Sequence, residues 1–117
     1  MKNFKQLLIW QKGIKIAVDT FGLVSTFPSE VKFGISSQMT KAAVSIPSNI
    51  AEGSSRTSSK EYNRFLEISL GSSFELETQL LIAEAVNFGD KSKRNQALIE
   101  LGEEQKMLMS FMRKLQV

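Results

Sequence analysis

The sequence contains neither cysteine nor histidine. Without thiols there is no disulfide and no thiolate chemistry, which is compatible with a reducing cytoplasm. Without imidazole the chain lacks the commonest general base and the commonest transition-metal ligand, and this argues against an enzyme. Two prolines and seven glycines in 117 residues, with 42% hydrophobic and 23% charged residues, describe one folded domain rather than a disordered chain. No apolar run approaches the roughly 20 uninterrupted residues of a membrane span. Lys12 and Lys15 interrupt the apolar N-terminal segment and no small-residue cleavage site follows it, so the sequence predicts a cytoplasmic protein without a signal peptide or a membrane partner. Phosphate-loop and dinucleotide fingerprints are also missing, and no cofactor is called for.

What is present is helical periodicity. Four segments carry apolar residues at spacings of three and four, and no strand-like alternation competes with them. Trp10, Ile14, Ala17, Phe21 and Val24 share one face of the first segment, which ends at Pro28. The second segment starts near Ser36 or Ser37. The third runs from about Ser58, whose spacing to Glu61 is that of a capping box, to Phe88, with Gly89 placed to end it. The fourth carries Leu98, Leu101, Leu108, Met112 and Leu115, a repeat interrupted by Gln105. The predicted fold is all-α, one antiparallel up-and-down four-helix bundle over residues 1–117.

In the second segment, Met39, Ala42, Ala43, Ile46 and Ile50 keep one helical phase through Pro47, so the helix continues and is expected to bend there. The proline removes the amide that would reach the Ala43 carbonyl, a cost of roughly 3 kcal/mol that packing must offset. The bend either wraps this helix around the bundle or exposes Ser45, Ser48 or the freed carbonyl to a partner. Gly53 is expected to end the helix. A polar stripe that includes Lys41, Ser45, Asn49 and Glu52 lies on the same helix.

The third helix is apolar around too much of its circumference. Tyr62, Leu66, Ser69, Ser73, Leu76, Leu80 and Ala83 form one stripe; Leu70, Phe74, Leu81, Ala85 and Phe88 form a second beside it. Such an arc exceeds what a surface helix needs to bury. It is either central to its own bundle or buried between subunits, with Leu70, Phe74, Leu81 and Phe88 as the candidate oligomer interface. Gly71 with Ser72 and Ser73 would let another helix approach closely.

Two chemistries can be read from the charges. Glu77 and Glu84 lie two turns apart on this helix, but a di-iron bundle needs histidines the chain does not have. Bonding of the carboxylates to the polar stripe of the second helix is the simpler reading, and a carboxylate-held divalent metal the other. Residues 1–60 carry eight Lys or Arg against three acids, and residues 61–117 carry seven against nine. Lys41, Arg56, Lys60 and Arg64, with Tyr62 as a stacking group, are the candidate RNA- or DNA-binding patch, read as one corner between helices two and three. The alternative is an ordinary solvated surface.

The stretches IWQKGIKIA, FGISSQMTKAAVSIPSNIAEGSSRTSSKEYNRFLEISLGSSFELETQLLIA and KMLMSFMRKL closely resemble the 23S rRNA intervening-sequence protein family, over nearly the whole chain. Ser45 to Glu52, followed by Arg56, Phe65, Leu66, Gly71, Ser72, Glu75, Glu77 and Leu80, carry the resemblance. It implies a four-helix bundle assembled as a homopentameric ring. It also implies similarity to the accessory variability determinant of diversity-generating retroelements, a basic pentamer that binds nucleic acid and a reverse transcriptase. Ser45, Pro47, Asn49, Glu52, Gly53, Gly71 and Glu77 are its structural motif here. The family often has two basic residues where this chain has Thr40 and Lys41, and Asp where it has Gln6. The functional expectation is a non-enzymatic, homo-oligomeric scaffold with a nucleic-acid-binding corner; the alternative is a protein-interaction module that binds no nucleic acid.

Overall fold

The computed structural model describes residues 3–116 and contains four long helices: α1 (Leu8–Val24), α2 (Ser37–Ser54), α3 (Ser59–Ala85) and α4 (Lys91–Leu115). No strand occurs among the described residues. Each helix packs on the next, α4 closes back on α1, and the α2–α3 seam is the most extensive. This is an antiparallel four-helix bundle, as the periodicity predicts.

Helix α2 continues through Pro47, whose ring is buried. Its core face is the predicted one: Met39, Ala42, Ala43, Ile46 and Ile50 are almost fully buried. Ser69 Oγ on α3 donates 2.9 Å to the Ile46 carbonyl, and Ser45 and Ser72 hydroxyls meet at 2.7 Å. Asn49 Nδ2 donates to the Ser45 carbonyl and hydroxyl at 2.8 and 2.9 Å. Gly53 does not end α2, which runs on to Ser54. Its role is close approach: a Cβ there would lie 2.8 Å from Phe65 Cβ and 3.0 Å from the Tyr62 ring.

Helix α1 turns a different face inward from the one its largest side chains suggest. Ile9, Gly13, Ile16, Ala17, Thr20 and Leu23 are buried, whereas Ile14 and Phe21 are exposed and Trp10 and Val24 half-buried. The reason lies at Gly13, where a Cβ would come within 3.2 Å of Glu104 Oε2 and 3.3 Å of Pro47 Cβ. A small residue on that face lets α1 meet α2 and α4, and Thr20 answers its own polarity by donating 2.7 Å to the Ile16 carbonyl.

The helix ends follow capping chemistry. Ser58 Oγ accepts the Glu61 amide at 3.1 Å, as the capping box predicts. Ser36 precedes α2 in helical conformation and makes no side-chain cap bond, because a wide turn at 32–36 leads into the helix. At the end of α3 it is Asn87, not Gly89, that turns left-handed as the cap, with φ 59°. The Phe88 amide reaches back to the Ala83 carbonyl at 2.8 Å, and the Asn87 amide to Glu84 at 3.1 Å. Gly89, with φ 79°, instead leaves room for the Phe27 ring. Buried Arg94 then donates 2.6 and 2.8 Å to the Phe88 and Gly89 carbonyls, a charged clamp on the α3–α4 loop.

Candidate functional site

An antiparallel bundle gathers at one end the start of α1, the end of α2, the start of α3 and the end of α4. That end is cationic. Arg56, Lys60 and Arg64 come from the α2–α3 corner, and Arg113 and Lys114 from the last turn of α4, where positive charge also complements the helix dipole. Leu115 of α4 joins the two groups. It lines a cleft of about 430 Å³ with Lys60, Asn63 and Arg64, and a second of about 400 Å³ with Arg56, Ser58 and Tyr62. Arg113 and Lys114 escape a reading segment by segment. The up-and-down helix order is the signal that places them here.

The predicted members of the patch are not alike. Lys60 and Arg64 are exposed. Arg56 is engaged within the chain: Nη2 donates 3.1 Å to Glu52 Oε2, and the guanidinium lies 4.6 Å from the Phe65 ring centre. Tyr62 is half-buried, 5.7 Å from the Phe111 ring and against Gly53, and burial raises its phenol pKa. These contacts make Tyr62 part of the corner's packing rather than an open stacking platform. Lys41 does not join the corner. It sits in the second turn of α2, roughly 20 Å along the helix axis from Ser54 at 1.5 Å per residue.

The carboxylates also fall differently from expectation. Glu77 Oε1 accepts from Gln105 Nε2 of α4 at 2.9 Å, so its partner is on α4 and not on the polar stripe of α2. Glu84 is exposed, and no three acids gather as a metal site among the described residues. The buried acids are Glu100 and Glu104, on the α1 side of α4. Glu100 Oε1 accepts from Lys15, whose pKa is raised by Asp19 and Glu100 together. Neither oxygen of Glu104 has a hydrogen-bond partner, and burial pushes its pKa up to about 8 against a smaller opposing pull from Lys12.

On α3 the first apolar stripe is the core: Leu66, Ser69, Ser73, Leu76, Leu80 and Ala83 are buried. The second stripe is split. Leu70 and Phe88 pack against the core, Phe88 5.8 Å from Phe27, while Phe74 and Leu81 are 48% and 47% exposed. Ile68 and Ile82 extend this uncovered surface. Gly71 sits amid it, and a Cβ there would meet no atom within 4 Å. No other helix of the same chain approaches Gly71.

The model of the 23S rRNA-intervening sequence protein family matches residues 5–110. A crystal structure of a Bacteroides thetaiotaomicron protein of unknown function, from the S23 ribosomal protein family, superposes with a TM-score of 0.80. It is 20% identical and covers 90% of this chain and 98% of its own, a likeness of fold. No curated protein matches the sequence.

Proposed function

The chain belongs to the 23S rRNA-intervening sequence protein family, and from that premise we propose that it is a non-enzymatic, homo-oligomeric helical scaffold, a pentameric ring in the cytoplasm, that presents its cationic end to RNA or DNA. The observation that carries the reading is the outer face of α3. Ile68, Phe74, Leu81 and Ile82 stay exposed around a glycine that nothing in its own chain approaches. A patch of this kind marks an interaction surface. A mid-helix glycine costs about 1 kcal/mol relative to alanine, a cost that close approach by another chain offsets.

The nucleic-acid contact rests on Lys60, Arg64, Arg113 and Lys114, which carry charge to the surface without an ion-pair partner among the described residues. They act on phosphates by counterion release, without sequence preference. A protein-interaction module without nucleic-acid binding is the second reading. It is favoured by the internal engagement of Arg56 and Tyr62.

Light scattering during size exclusion, with and without a mixed RNA and DNA oligonucleotide pool at low and physiological salt, separates the two. The scaffold reading expects an oligomer whose mass rises with oligonucleotide, more at low salt. Charge reversal of Lys60, Arg64 and Arg113 should flatten the salt dependence by about one log unit per lost contact. An oligomer that ignores oligonucleotide at both salts supports the interaction module, and a monomer overturns the scaffold.

A further inference from the structure

A second surface on the molecule complements the outer face of α3. Where the start of α1 crosses the last turns of α4, Leu7, Leu8, Met107 and Phe111 floor an apolar groove of about 430 Å³. Its rim carries Lys106 and Lys114, and no acid lines it. Leu8 is 69% exposed there, a large apolar side chain without cover.

The α3 face has the opposite charge. Residues 65–90 contain no Lys or Arg, and Glu67 and Glu75 flank the stretch holding Ile68, Gly71 and Phe74. Glu67 and Glu75 are eight residues apart, as are Lys106 and Lys114. At 1.5 Å per residue each pair spans about 12 Å along its helix. None of the four takes part in an ion pair among the described residues, and Glu75 meets only Gln79, at 3.3 Å.

We infer that the lysine-rimmed groove between α1 and α4 receives the α3 outer face of a second copy of this chain, with Gly71 at the point of closest approach. The inference rests on the homo-oligomer reading above and names the surfaces that meet. Apolar contact at the centre supplies the association, and the lysine and glutamate pairs at the rim fix register and exclude wrong pairings. The two surfaces are different patches, so the contact is head-to-tail. Repeated, it closes into a ring or propagates as a filament, and it does not stop at a dimer.

Light scattering and sedimentation of four proteins test this: the wild type, Gly71→Arg, the K106E/K114E double variant, and a quadruple variant adding E67K/E75K. Gly71→Arg projects into open space in the single chain, so it folds, and circular dichroism melts verify that. Both Gly71→Arg and the double variant should associate at least about tenfold more weakly than the wild type, as like-charge and steric conflict at an interface require. The quadruple variant, with its charges exchanged, should regain the wild-type mass. If Gly71→Arg and the double variant keep the wild-type mass, or if the quadruple variant stays as dissociated as the double, the docking is overturned while an assembling wild type leaves the oligomer reading standing. A wild type that is monomeric at every concentration overturns both.

Discussion

The α2–α3 seam and the α1–α4 seam bury polarity in opposite ways. Between α2 and α3, hydroxyls meet each other or a carbonyl: Ser45 with Ser72, Ser69 with Ile46. Between α1 and α4 the polar groups are charged. Lys12 pairs with Glu103, Lys15 with Glu100, and Glu104 is sealed beneath them with both oxygens unpaired. Neutral hydroxyls can be buried at the cost of one hydrogen bond each and permit close approach, whereas a carboxylate without a partner carries a desolvation penalty that only protonation relieves. The first seam is therefore indifferent to pH, and the second is not.

The largest effect should come from Glu104. Its ordinary carboxyl value of 4.5 is raised to about 8 in the fold. Below 4.5 the group is protonated in both states and stability is unaffected. Between 4.5 and 8 the unfolded chain releases a proton that the folded chain retains, so stability falls as pH rises and levels off above about 8. The loss amounts to roughly 3–5 kcal/mol across that window. Urea unfolding at pH 5 and pH 8.5 should show it, and Glu104→Leu should remove that part of the slope and be the more stable protein at pH 8.5. Equal slopes in the two proteins would mean that the carboxylate is not the cost this seam carries.

Breaking the other seam requires volume rather than pH. Gly53→Val places branched carbons where even a Cβ would lie 2.8 Å from Phe65 Cβ. Overpacking at a helix contact should cost about 2–3 kcal/mol, read as a lower denaturant midpoint at both pH values. Ser69→Ala removes the hydroxyl that answers the Ile46 carbonyl and should cost about 1 kcal/mol, again at either pH. A pH-dependent loss in either variant would blur the distinction between the seams.

The same contrast explains what the sequence discloses. Helix α2 is legible because its small and apolar residues keep one phase through Pro47, and the start of α3 because Ser58 and Glu61 form a local motif. Helix α1 is not, since Ile14, Val18 and Phe21 are as apolar as Ile9, Ile16 and Leu23. The choice between its faces is made by Gly13 meeting Pro47 and Glu104, contacts across 34 and 91 residues. For the same reason Glu77 and Glu84 stand out by their spacing, whereas the acid that matters for stability is Glu104, hidden in a run of charged residues. The basic end is half legible. Arg56, Lys60 and Arg64 are neighbours in the chain, while Arg113 and Lys114 arrive through topology, and Lys41 leaves along α2.

The smallest expected effect is also the one that separates folding from assembly. Gly71 occupies the interior of α3, where alanine is favoured over glycine by about 0.5–1 kcal/mol, and a Cβ there meets nothing in its own chain. Gly71→Ala should therefore stabilise the dissociated subunit, raising its urea midpoint in dilute solution. Gly53, buried against Phe65 in the tight seam, cannot accept even one methyl group without a shift. If glycine at 71 served the bundle as glycine at 53 does, Gly71→Ala would lower the midpoint. A rise locates the use of this glycine outside the single chain, at the surface where α3 meets its neighbour.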